Sequence, residues 1–90
     1  MESVKLEDVI SSKGKLKILK LLIKKGQANI TKIVRETGLR YELVIRHIEE
    51  LKNVGLIEER RYGRLRIYEL NFRNPKVGTL KEVLEILEKV

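Results

Sequence analysis

TKIVRETGLRYELVIRHIEELKNVGLIEERRYGRLRIYEL, from Thr31 to Leu70, reads in order as a helix, a glycine-centred turn, a second helix and a basic hairpin. Thr31 is placed to cap the first helix, whose Ile33 and Val34 face inward behind Ile30, and Gly38 supplies the left-handed conformation that ends it. Leu39 to Asn53 follows at once. With Val44 as origin, Ile48 and Leu51 lie within about 40° on a helical wheel, and Arg40, Tyr41 and His47 flank that face at about 60° or less. Glu42, Arg46 and Glu49 point the opposite way, with Ile45 and Lys52 at the shoulder. One side of this helix is built for burial and the other is offered to solvent.

Gly55 closes the second helix, and Leu56 to Arg61 and Arg64 to Leu70 form two strands joined at Tyr62-Gly63, where Gly in the second turn position suits a type I′ hairpin. The tip carries Arg60, Arg61, Arg64 and Arg66 with no acid between positions 60 and 66, a concentration that costs repulsion unless anions or solvent screen it. A charged hairpin edge that resists aggregation is one reading. Mixed Lys and Glu would serve that purpose equally well, whereas arginines without acids fit phosphate. Arg46 is open to two readings, a surface pair with Glu42 or Glu50 and a contact to base or phosphate. Tyr41 either packs at the helix start or touches a nucleic-acid backbone.

Outward from this stretch, Leu16, Leu19, Leu22 and Ile23 make one face of a core helix from Lys15 to Lys25, flanked by Ile18 and Leu21 and stopped by Gly26. Val4 to Ile10 forms a short leading helix, interrupted by Ser11, Ser12 and Gly14. Asn71 to Pro75 leaves the sheet, and Val77, Leu80, Val83, Leu84, Leu87 and Val90 stripe a closing amphipathic helix over residues 76–90. That helix either roofs its own domain or forms an intersubunit face; the second is preferred here, because a two-fold dimer sets two reading helices one duplex turn apart. The expected architecture is a single mainly α domain over residues 1–90 with a small β-hairpin (α+β), its core over residues 13–70.

Composition narrows the function. The chain of 90 residues is 42% apolar and 37% charged, which is globular rather than disordered, and its high Lys, Glu, Ile and Leu content suggests a heat-adapted source. There is no cysteine, so no disulfide, thiolate metal site or thiol switch can form, and His47 is the one histidine. The acids are dispersed and lack calcium-loop spacing. No metal, no cofactor and no catalytic residue is expected: paired histidines and a carboxylate dyad are absent, and His47 beside an apolar face reads as a packed residue. No apolar run is long enough for a membrane span, and acids stand where a signal peptide would carry basic residues, so the expected location is cytoplasmic with no membrane partner. Net charge is +7, yet residues 76–90 balance Lys76, Lys81 and Lys89 against Glu82, Glu85 and Glu88. The positive excess therefore lies in residues 1–75, a body suited to a polyanion, while the neutral striped tail has no reason to seek phosphate.

At Gly38-Leu39, Val44, His47-Ile48, Leu51, Gly55-Leu56-Ile57, Gly63-Arg64 and Tyr68-Glu69-Leu70 the sequence resembles winged helix-turn-helix regulators of the ArsR and MarR kind, particularly small archaeal ones. The resemblance implies double-stranded DNA as partner. It implies DNA reading by Thr31, Arg40, Tyr41, Glu42, Ile45, Arg46 and Glu49, and wing contacts by Arg60, Arg61, Tyr62, Gly63, Arg64 and Arg66. It further implies a homodimer formed through Val77, Leu80, Val83, Leu84 and Leu87. Three departures are visible. Arg40 stands where the family carries a small polar cap, and a guanidinium cannot accept a backbone hydrogen bond. The family's thiolate metal sites cannot exist here, and there is little room for a ligand pocket. Glu42, Glu49 and Glu50 lie on the reading helix, where phosphate repels acids. The expectation is a sequence-specific DNA-binding transcriptional repressor, and the alternative is a winged-helix protein-interaction module within an assembly. An RNA-binding reading has only Tyr41, Tyr62, Tyr68 and Phe72 to stack bases.

Overall fold

Ser12 adopts an extended conformation, and its hydroxyl accepts a hydrogen bond from the Lys15 amide at 3.2 Å. It therefore caps the helix that the sequence reading started at Lys15, and the helix begins two residues earlier. The computed structural model, which describes residues 6–88, orders the elements as α1 (Leu6–Ile10), α2 (Lys13–Lys25), β1 (Gln27–Ala28), α3 (Ile30–Thr37), α4 (Tyr41–Asn53), β2 (Ile57–Tyr62), β3 (Leu65–Leu70) and α5 (Pro75–Glu88). Val4 and Val90, assigned above to the first and last helices, lie outside the described residues.

Gly14, read as an interruption, sits in the first turn of α2. Its missing side chain admits the His47 ring of α4: a β-carbon there would lie 2.5 Å from Nε2 and 2.9 Å from Cδ2. Helix α3 is capped by Asn29, whose Oδ1 accepts from the Lys32 amide at 2.8 Å, and not by Thr31, which is exposed in the first turn. Three residues, Gly38 to Arg40, then turn the chain into α4. The end of α4 is a Schellman arrangement, in which the Leu56 amide donates to the Leu51 carbonyl and the Gly55 amide to that of Lys52. Leu51 and Leu56 are both buried there, so the cap also fixes where the hairpin leaves the helix.

The sheet is antiparallel in the order β1-β3-β2. Strand β1, absent from the sequence reading, contributes two residues, Gln27 and Ala28, opposite Glu69 and Tyr68. The hairpin register pairs Tyr62 with Leu65, so the two-residue loop is Gly63-Arg64 rather than Tyr62-Gly63. Gly63 has φ 62°, and among the described residues no other residue type has positive φ, so Arg64 stays on the negative side. That combination is type II′, with Gly first, in place of the expected type I′.

Apolar side chains from all five helices and the sheet meet in one core, including Val9, Ile18, Leu19, Leu22, Ile33, Val44, Ile48, Leu51, Ile57 and Tyr68. Helix α5 closes it with Val77, Leu80 and Leu84, which are 2%, 5% and 3% exposed. These three residues, assigned above to an intersubunit face, are instead occupied in roofing their own domain. Two asparagines hold the approach to α5: Asn71 Nδ2 and Asn74 Nδ2 donate to the Gly55 carbonyl at 3.0 and 3.1 Å. Asn74 Oδ1 also accepts from the Lys76 amide, leaving Pro75 at the first helical position, where its missing N–H costs nothing.

Candidate nucleic-acid interface

Helix α4 presents Val44, Ile48 and Leu51 to the core, and Tyr41, Glu42, Arg46 and Glu49 to solvent, with Ile45 half-buried between. Arg40 takes the N-cap position with extended backbone and makes no side-chain cap, as its chemistry requires. Tyr41, in the first turn of the helix, is 56% exposed. Glu50 turns away from Arg46 and pairs at 3.0 Å with Lys15 of α2, an ammonium almost wholly buried. Among the described residues Arg46 forms no ion pair, and neither does Glu42. Glu49 contacts Lys52 one turn on, at 3.4 Å.

The underside of α4 is clamped by charge as well as by apolar packing. The hydrogen bond from Lys15 holds the Glu50 carboxyl below its ordinary value. Burial, helped by the Lys15 charge, pushes the His47 imidazole below its ordinary 6.5. His47 Nδ1 lies 3.8 Å from the Glu50 carboxylate, beyond hydrogen-bond reach, and is the one buried side-chain polar atom among the described residues without a hydrogen-bond partner. His47 thus packs its ring against Gly14.

At the wing, Arg60, Arg61, Tyr62, Gly63, Arg64 and Arg66 are all exposed, but the arginines are not equivalent. Arg60 reaches diagonally across the hairpin to Glu69, and Arg61 bonds Glu59 at 2.8 Å. Glu59 is a hub: Lys52, near the end of α4, also reaches it at 3.1 Å. The hydrogen bond from Arg61, with others from Lys52 and Tyr68, pulls its carboxyl down to about 2. Sequence reading missed both acids, because Glu59 lies just before the acid-free window and Glu69 beyond it. The hairpin register is the signal that finds them.

A depressed carboxyl pKa stabilises the fold fully above its ordinary 4.5, and that contribution is lost as pH falls through the folded value. Urea midpoints should therefore decline from about pH 4.5 towards about 2, and Glu59→Gln should be less stable at neutral pH with a shallower acid decline. An identical acid limb in the variant would remove Glu59 from the linkage.

Between α2, the end of α3 and α5 runs an open groove of about 740 Å³, floored by Leu21, Ile23 and Leu84 and edged by lysines of α2 and Glu85 and Glu88. It is more space than the sequence suggested. Among the described residues no cluster of three or more His, Asp or Glu could hold a metal ion, and no helix is long and apolar enough to cross a membrane.

Residues 12–59, carrying the cap of α2, the helix-turn-helix and the start of the wing, match the family model described as bacterial regulatory protein, arsR family. The chain belongs to this family. As an arsR-family protein it is a winged-helix DNA-binding transcriptional regulator and not an enzyme. No curated protein matches the sequence. Similar solved structures include HlyU from Vibrio cholerae, at TM-score 0.79 and 21% identity, covering 91% of this chain and 86% of that one. The homodimeric winged helix-turn-helix DNA-binding domain of Mb0332 from Mycobacterium bovis aligns at TM-score 0.75 and 24% identity, over 92% and 74% of the two chains. The transcriptional repressor PagR of Bacillus anthracis aligns at TM-score 0.75 and 26% identity, over 88% and 87%. These likenesses bear on the fold, and the helix-turn-helix followed by a wing is common to them.

Proposed function

We propose that this arsR-family protein is a homodimeric, sequence-specific repressor that lays the outward side of α4 in the major groove and sets the wing on adjacent backbone or minor groove. The observation that carries the reading is the Arg46 guanidinium, exposed on the outward arc of α4 and without an ion pair among the described residues. A free guanidinium can give a bidentate pair to a guanine edge. Support for the dimer comes from α5, where Val83, Ile86 and Leu87 are 43%, 61% and 61% exposed at three-and-four spacing. In this reading Val83, Ile86 and Leu87 form the intersubunit face. Occlusion of a promoter by such a dimer gives repression directly.

The deciding experiment is a salt titration of binding to mixed genomic duplex fragments. A few fragments retained over bulk DNA, with a steep salt slope, would support the reading. No binding at low salt would overturn it and favour a protein partner for the acidic side of α4, Glu42 and Glu49. Within that assay Arg64→Ala, at the wing tip, should weaken all fragments by a similar factor and reduce the salt slope by about one. An unchanged slope would take the wing off the contact surface.

A further inference from the structure

Every carboxylate of the hairpin holds an arginine. Glu58 bonds Arg73 at 3.0 Å, Glu59 bonds Arg61 at 2.8 Å, and Glu69 bonds Arg60. The wing that reads in sequence as four bare arginines is therefore half neutralised at home. Arg64, alone of the four, forms no ion pair or hydrogen bond among the described residues, while Arg66 lies within reach of the Tyr68 hydroxyl.

The exposed pairs Glu58–Arg73 and Glu69–Arg60 contribute little to folding, whereas Glu59, 11% exposed, also stabilises the hairpin. Their effect on a polyanion is larger. A paired arginine neutralises no phosphate until it leaves its carboxylate, and the carboxylate left behind then repels the same phosphate. We propose that Glu59 and Glu69 are specificity-determining residues that hold Arg61 and Arg60 back from random duplex, so that the wing engages fully only where a site presents phosphates in matching positions. The inference rests on the proposed contact between wing and DNA.

The two pairs differ in a way that sets their order. When Arg61 leaves Glu59, Lys52 still lies 3.1 Å from that carboxylate, so the acid is not left bare. Glu69 has no second cation within ion-pair distance among the described residues, so releasing Arg60 exposes an uncompensated acid at the side of the wing. Glu69 is thus the stronger brake and Glu59 the weaker.

The test measures binding of the full chain to a short mixed-sequence duplex across a salt series, for wild type, Glu69→Gln, Glu59→Gln and Arg64→Ala, with thermal melts to establish that each is folded. Glu69→Gln should bind roughly threefold to tenfold tighter at low salt with a slope steeper by about one, and Glu59→Gln should shift in the same direction by less. A merely structural role would lower affinity or flatten the slope instead. If Arg64→Ala flattens the slope while neither Gln variant steepens it, this inference is overturned and the wing contact stands. If Arg64→Ala changes nothing, the wing contact and the inference fall together.

Discussion

Leu80→Asp is expected to abolish the folded state, whereas Leu87→Asp should leave a folded monomer. Leu80 and Leu87 stand on the same helix and look alike in sequence, yet Leu80 is 5% exposed and Leu87 is 61% exposed. Around Leu80 lie Leu19, Ile23, Leu56, Leu70 and Val77, so an aspartate there loses the packing of a core leucine, about 2–5 kcal/mol, and must also hide or protonate a carboxylate at several kcal/mol more. Small domains have about 5–15 kcal/mol to lose. Circular dichroism should show no cooperative melt for Leu80→Asp. At Leu87 the new charge faces solvent within one protomer, so secondary structure should persist. It meets its counterpart or other apolar groups only across a dimer interface, and sedimentation should then report half the wild-type mass. The melting temperature of Leu87→Asp should also stop depending on protein concentration. A dimeric Leu87→Asp would move the interface off this stripe, and a native-like Leu80→Asp would mean that α5 does not roof the core.

That contrast also shows where the sequence is informative. The apolar positions of α5 span roughly half the helical circumference, too wide for one face. Val77, Leu80 and Leu84 fall in one arc and Val83, Ile86 and Leu87 in the next, so the stripe holds two faces with two uses. Periodicity identifies such a helix but does not say which half meets its own core. The exposed side of α4 was legible because a three-residue turn fixes its start and the Leu51-Leu56 cap its end. The cap of α3 was misplaced because Asn29 and Thr31 are both good caps two positions apart, and the pairing of β1 with β3 favours the earlier one. Strand β1 itself is too short to carry a period and exists only through β3. Wing charge was legible as composition and illegible as pairing, since Arg60 and Glu69 meet through a register in which each cross-strand partner shifts by two residues with the choice of turn.

Arg46→Glu should remove specific DNA binding while leaving the fold intact. Arg46 is exposed and bears no ion pair among the described residues, so reversing its charge breaks nothing inside the protomer. The melting temperature should stay near wild type. In the proposed dimer the change acts twice, once per half-site. A bidentate arginine contact to guanine contributes about 1–3 kcal/mol, so two lost contacts alone predict weakening on the order of thirtyfold or more, and the new acid adds repulsion from phosphate. Arg46→Ala separates base reading from phosphate binding. A uniform loss across retained fragments, with a salt slope lower by about one per copy, would assign Arg46 to the backbone. A loss confined to fragments sharing one base at one position would assign it to that base. Retained binding in Arg46→Glu would show that the outward side of α4 does not touch DNA. The acids Glu42 and Glu49 on that side would then be the recognition surface, and their expected partner a basic protein.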